Sequence, residues 1–202
     1  MTKHRTIGVS VCALIFAASM AAAQAPDIVR VRGTIESVDG QILSVKERNG
    51  ATMKVKVADS APVNAIVKAS LADIKPNSYI AVTAMPQPDG SQKAVAILIF
   101  PEALRGIAEG FRPWDLTPNS TMTNGTVDNA VESVDGQTLV LKYKSGEQKV
   151  IVPPTTEIVT STRATLSDVK PGEKIFIVAA KKLPDGMLEA PNISVGDYGV
   201  WR

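Results

Sequence analysis

The strongest constraint on this chain is a sentence it writes twice. "IESVDGQILSVK" runs from Ile35 to Lys46, and "VESVDGQTLVLK" runs from Val131 to Lys142. The correspondence is longer than these words. Gly33 to Ile99 can be laid on Asn129 to Val195 with one single-residue slip and its return. The punctuation matches best. Asp39-Gly40 falls on Asp135-Gly136, Asn49-Gly50 on Ser145-Gly146, and Asp89-Gly90 on Asp185-Gly186. Such dipeptides favour tight hairpin turns, because Gly, and Asn or Asp beside it, tolerate positive φ.

Between the turns, apolar residues recur with period two, the pattern of half-buried strands. Val29, Val31, Gly33 and Ile35 share one face of a first strand, Leu43 and Val45 of a second, and Met53, Val55 and Val57 of a third. The second copy offers Val127 and Val131, then Leu139 and Leu141, then Ile151. A fourth and fifth strand are predicted at Tyr79–Met85 and Lys93–Ile99, with counterparts at Lys174–Ala180 and Leu188–Val195. Pro191 predicts an edge or a bulge in the last of these.

A longer link separates strands three and four in each copy and ends in "SLADIKPN" or "TLSDVKPG". Ser70 with Asp73, and Thr165 with Asp168, have the spacing of a helix cap and its reciprocal acid. Pro76 and Pro171 stop the turn. Each copy therefore reads as a three-stranded meander, a capped turn and a hairpin, the element order of a five-stranded OB-like barrel. The expected architecture is all-β: two tandem five-stranded OB-like barrels, one over residues 24–100 and one over 127–202. A partly helical segment rich in aromatic residues and proline, residues 101–126, joins them.

"RGTIESVDGQILSVK", "SLADIKPNSYIAV" and "PDGSQKAVAI" together resemble the DUF5666 type of bacterial envelope domain. The stretch "AEGFRPWDLTPNSTMTN" is similar to one found in short exported proteins of alphaproteobacteria. The resemblance implies an OB-like barrel and an envelope location. Its motifs are structural turns, so it implies no catalytic residues and no cofactor.

The first 23 residues read as a cleavable signal peptide. Lys3, His4 and Arg5 precede an apolar run from Ile7 to Ala18, followed by Ala21-Ala22-Ala23. Cleavage there makes the mature protein periplasmic. It also removes His4 and Cys12, the single histidine and single cysteine of the chain. A mature chain without either has no disulfide, no zinc site built on Cys or His, and no Ser-His-Asp triad. Loss of Lys3 and Arg5 reduces 22 basic side chains to 20, against 20 acidic ones. Positive and negative residues alternate locally, which argues against nucleic acid as a partner. No second apolar run reaches membrane-span length.

Few residues suggest chemistry. Glu36, Asp39, Glu132 and Asp135 recur in both copies, but they sit at hairpin corners where turn-forming and solvated roles suffice. Met53, Met85, Met122 and Met187 are the soft ligands left after cleavage, and they do not cluster in sequence. No phosphate loop, nucleophile elbow or His-Glu-x-x-His helix occurs. No enzyme, no cofactor and no metal site is expected. "PEALRGIAEG" predicts a short helix begun by Pro101 and ended by Gly110. "FRPW" then carries Phe111, Arg112 and Trp114, with Arg112 placed to stack on an aromatic ring. These three are the candidate binding residues, either as a clasp across the barrels or as a patch for a partner. The expected function is an exported, non-catalytic binding or scaffold protein for an envelope protein or a small ligand. The alternative is an envelope metal-handling accessory protein using methionine and carboxylate ligands.

Overall fold

A computed structural model of the full chain describes residues 27–133 and 136–196. The signal-peptide expectation over residues 1–23 and the Asp135 corner lie outside these residues. Its regular structure is almost entirely β-strand. The first copy contributes β1 (Ile28–Asp39), β2 (Ile42–Glu47), β3 (Thr52–Val57), β4 (Val63–Lys68), β5 (Tyr79–Pro86) and β6 (Gln92–Ile99). A short β7 (Gly110–Pro113) follows. The second copy contributes β8 (Thr121–Ser133), β9 (Gly136–Tyr143), β10 (Gly146–Val152), β11 (Glu157–Ala164), β12 (Lys174–Lys182), β13 (Leu188–Ala190) and β14 (Ile193–Val195).

The predicted alternation holds along most strands. Val31, Ile35, Leu43, Val45, Val55 and Val57 all point inward and are buried. Two positions depart from expectation. Val29 is 36% exposed, because the β1–β12 register shifts between Val29 and Val31. A bulge of this kind turns the residues beyond it to the other face. Ile151 faces outward, while Val150 and Val152 are fully buried. The single-residue slip between the copies therefore takes effect before β10.

Strand pairing corrects the tandem arrangement. The order β1-β2-β3-β13-β12 returns to β1 and closes one five-stranded barrel. The order β8-β9-β10-β6-β5 returns to β8 and closes a second. Each barrel thus takes three strands from one copy and its remaining two from the other, and neither the 24–100 nor the 127–202 segment closes by itself. In both barrels the third strand meets its foreign neighbour in parallel, and the other pairs are antiparallel. The physical cause lies in the link between strands three and four. It is not a loop. It contains β4 in the first copy and β11 in the second, and these two strands pair with each other, antiparallel from Val63↔Ala164 to Lys68↔Val159. This central ribbon carries the chain from one barrel into the other, once in each direction.

Both crossings end in the predicted capped turn, a single 3₁₀ turn over Leu71–Asp73 or Leu166–Asp168. The Asp73 carboxylate accepts from the Ser70 N–H at 2.8 Å and the Ser70 hydroxyl at 2.7 Å; Asp168 does the same with Thr165. These bonds hold both carboxyls below the usual range. Asn77 (φ 68°) and Gly172 (φ 92°) then make the same left-handed step after the proline, a conformation that Asn and Gly tolerate best.

Each barrel has its own core. One is built on Ile35, Leu43, Ile175, Ile177 and Ile193, the other on Ile80, Ile97, Leu139, Leu141 and Ile158. A small third cluster, Ile66, Ala96 and Val159, sits at the ribbon between them. Pro191 breaks the expected last strand outright. β13 joins β3, and after the break β14 joins β4. Its counterpart β6 stays continuous and serves both roles, pairing first with β10 and then with β11.

The joining segment also differs from expectation. Only Glu102–Leu104 forms a 3₁₀ turn, and no longer helix follows. So short a piece falls far below the length at which helix nucleation is recovered. Gly106 (φ 84°) and Ala108 (φ 47°) then turn the chain in the opposite sense. Gly110 begins a strand rather than ending a helix, and β8 starts at Thr121, inside the segment assigned to the joint. Among the described residues no helix is long and apolar enough to cross a membrane.

Candidate functional site

The joint is fastened to the second barrel before it reaches the candidate residues. The Ile107 carbonyl accepts from the Tyr79 hydroxyl at 3.0 Å and from Asn124 Nδ2 at 3.1 Å. Glu109 accepts from the Lys144 backbone N–H. Arg105 pairs with Glu102 and donates to the Asn77 carbonyl at 2.8 Å. β7 then pairs antiparallel with the start of β8, Phe111 facing Thr123 and Arg112 facing Met122. Trp114 closes a tight loop: its N–H donates to the Ser120 carbonyl at 2.8 Å, and the Ser120 hydroxyl donates back to the Trp114 carbonyl.

Strand alternation separates the three candidates. Phe111 is 43% exposed. Arg112 and Trp114, two residues apart on the other face, are half-buried and meet each other, with the guanidinium 5.6 Å from the indole centroid. The expected Arg–aromatic stack therefore exists, on Trp114. Phe111 stands apart from it.

Trp114 also reaches the first barrel. The Arg30 guanidinium lies 4.1 Å from its ring centroid and that of Arg32 5.7 Å. Arg32 further lies 4.9 Å from the Phe176 ring, on the strand beside it. Asp115 bridges both arginines, accepting from Arg30 Nη1 at 2.6 Å and Arg32 Nη2 at 2.7 Å. Three guanidinium groups thus converge on one indole, with a single carboxylate among them. Guanidinium faces stack well on aromatic rings because they are planar and weakly hydrated.

The electrostatics follow from this geometry. The hydrogen bond from Arg32, then that from Arg30, lowers the Asp115 carboxyl to about 2 against the raising effect of partial burial. Burial, and then the neighbouring Arg30 charge, lower Arg112, opposed by Tyr79. Arg112 itself meets only uncharged acceptors: the Ala108 carbonyl at 2.8 Å, the Gly110 carbonyl at 3.5 Å and Asn124 Oδ1 at 3.4 Å.

Sequence reasoning reached Arg112 and Trp114 but not Arg30, Arg32, Asp115 or Phe176. One signal was available: Arg30 and Arg32 flank the inward Val31, so both must project from the same outer face of β1.

Among the described residues the other candidates do not assemble. Glu36 accepts from the Thr52 hydroxyl, and Asp39 lies exposed on its corner. Met53 packs against the first core, Met122 and Met85 take contacts from the Thr83 and Thr117 hydroxyls in the second barrel's neighbourhood, and Met187 follows a turn. Among the described residues, no group of three or more His, Cys, Asp or Glu side chains could hold a metal ion. A separate open groove of 530 Å³ lies where β4 ends and β11 begins, lined by Lys68, Ser70, Leu71, Pro153, Thr155 and Glu157 among others. Its Ser70 is committed to the cap, and Thr156 donates to the Ala94 carbonyl. No family model, no curated protein and no solved structure matches the chain.

Proposed function

We propose that this is a non-catalytic, exported binding protein of the bacterial envelope, with OB-like barrels, whose recognition surface is the joint, with Phe111 exposed on one face of β7 and Trp114 meeting Arg30, Arg32 and Arg112 on the other. One observation carries the reading. The joint is fastened at both ends, to the second barrel through Ile107 and to the first through Asp115, and yet it leaves Phe111 43% exposed on a short strand. Aromatic residues and arginine on one rigid segment are the composition found at binding interfaces. Preorganisation of the surrounding loop reduces the ordering cost of association. The DUF5666-like turn pattern and the charged, then apolar, N-terminus support the envelope location.

The test is capture of partners from a periplasmic extract on immobilised protein, with Phe111→Ser beside the wild type. Phe111 is half out in solvent, so the variant should keep its melting temperature and lose the captured partner. Identical capture by both proteins would refute the joint as the recognition surface. Intact mass of the exported protein tests the location separately: removal of 23–25 residues is expected, and a retained Cys12 would contradict it.

A further inference from the structure

We propose that the cluster of Arg30, Arg32 and Arg112 around Trp114 is an oxyanion site, taking a phosphate group from a soluble or lipid-borne ligand. The inference rests on the reading of the joint as a recognition surface and adds the chemistry of what it recognises.

Three cations and one carboxylate, Asp115, leave the cluster with two charges in excess. Arg32 is the sharpest part of the case. Its side chain is only 9% exposed, and its single acidic partner among the described residues is shared with Arg30. A buried charge is stable only when it is paired and its donors are satisfied. Yet the Nε–H groups of Arg30 and Arg32 are buried without a hydrogen-bond acceptor among the described residues. Each arginine commits one terminal nitrogen to Asp115, and the other, Nη2 of Arg30 and Nη1 of Arg32, has no hydrogen-bond partner among the described residues. Arg112 brings a third charge that only neutral oxygens meet. Guanidinium forks match phosphate geometry, and such charge-assisted bonds are about twice as strong as neutral ones. The stacking on Trp114 fixes the forks in place, which a flexible surface lysine would not achieve.

Burial distinguishes this from ordinary surface charge: the Arg32 side chain is 9% exposed, against 55% for Lys142. Lys142 elsewhere is paired with Asp128 at 2.9 Å, and Arg105 with Glu102. At the joint the pairing is one acid short for every arginine beyond the first.

The test uses the mature chain carrying Trp201→Phe, so that Trp114 is the single tryptophan, excited at wavelengths where tyrosine does not absorb. Inorganic phosphate is titrated in one arm and phosphatidylglycerol vesicles in the other, with neutral vesicles as the control. Saturable change in Trp114 emission, weakened by added salt, is expected in at least one arm. Arg112→Gln should reduce affinity at least tenfold, and so should Arg30→Gln, while Lys149→Gln should leave it unchanged. Melting temperatures are measured for all, and Arg112→Gln serves if Arg30→Gln unfolds by stranding Asp115. Response in the phosphate arm assigns a soluble ligand; response only to anionic vesicles assigns a lipid headgroup. No saturable response in either arm, or affinity untouched by Arg112→Gln, overturns the oxyanion site. In that case loss of capture by Phe111→Ser would still leave the recognition surface standing, so the two readings fail separately.

Discussion

Ile66 faces Ser161 across the antiparallel pairing of β4 with β11, and each is the other's counterpart in the repeat. Their separation is the same as that between the caps Ser70 and Thr165. A residue paired antiparallel with its own equivalent marks an approximate two-fold axis. The two copies are related as two subunits of a symmetric dimer would be, and the exchange of strands is mutual.

Because the β4–β11 ribbon pairs on one side with β6 of the second barrel and on the other with β14, which pairs with β12 of the first, the finished barrels should lose structure together. Ile66 is 4% exposed at the axis and packs with Ala96 and Val159. Ile66→Ala should cost about 2–5 kcal/mol and lower one transition without dividing it. Calorimetry and circular dichroism should report the same midpoint. Two resolved transitions would contradict this coupling through the ribbon.

Gly33 and Gly125 are a second pair of equivalents. A Cβ on Gly33 would stand 2.4 Å from the Lys46 carbonyl oxygen, and on Gly125 2.7 Å from that of Lys142. Backbone cannot yield as a side-chain tip can. Gly33→Ala and Gly125→Ala should each destabilise by about 1–3 kcal/mol, the usual scale of overpacking, with Gly33 the worse. Gly146→Ala is the internal comparison: its Cβ would meet nothing closer than Tyr143 at 3.6 Å, and its urea midpoint should stay within error of the wild type.

Trp114 is half-buried and held by three guanidinium groups rather than by an apolar pocket. Exposed cation–π contacts contribute about 0.5–1 kcal/mol each. Trp114→Ala should therefore cost about 1–3 kcal/mol, below the ~3–5 kcal/mol of a fully buried tryptophan. In the Trp201→Phe background its emission should lie between buried and free, with partial acrylamide quenching. Unfolding of Trp114→Ala should remain a single transition.

Asp115 gives the joint a pH dependence of known sign. Its folded carboxyl sits at about 2, below the ordinary 3.8. A depressed acid stabilises the fold above its unfolded value, and that contribution disappears as pH falls from about 4 through about 2. The carboxylate is half-exposed, so screening limits the effect to about 1 kcal/mol. Asp115→Asn should remove this part of the acid dependence and leave the remainder of the curve unchanged. Denaturant midpoints across pH 2–5 measure it.

The strands, turns and caps were legible because they depend on local chemistry. Period-two alternation set the inward faces, and the serine–aspartate and threonine–aspartate spacings set both 3₁₀ turns. The exchange was not legible. β5 and its counterpart β12 present the same kind of apolar face, so alternation cannot say which copy's first strand each one joins. The deciding strands, β4 and β11, lie within the links between turn signals, where the β-branched run of Ile158, Val159 and Thr160 is the one local sign of a strand. The alignment of the copies also misled at one place. It laid Gly33 on Asn129, whereas the matching registers Thr34↔Lys46 and Thr126↔Lys142 make Gly125 its equivalent. The shift is four residues. An even shift preserves which side chains point inward, so alternation could not reveal it. At the site, proximity in sequence exposed the contact of Arg112 with Trp114, but Arg30 and Arg32 lie more than eighty residues from Asp115 and only the fold brings them to it.

The exchange has a consequence for the order in which the chain becomes available. Ribosomes deliver β1 first and β12 late: Lys174 Nζ reaches Thr34 Oγ1 at 2.8 Å across 140 residues. Until the last quarter of the protein has emerged, the β1–β2–β3 meander has an open edge on either side and an uncovered apolar face. Such edges pair readily with other chains, and non-local closure of this kind is slow. The second barrel has no such delay, since β5 to β10 are contiguous in the chain. It can close while the first meander waits, so a newly made molecule passes through a stage with one finished barrel and one sticky half. A cell making this protein has reason to keep that half occupied by a chaperone until the C-terminal strands arrive.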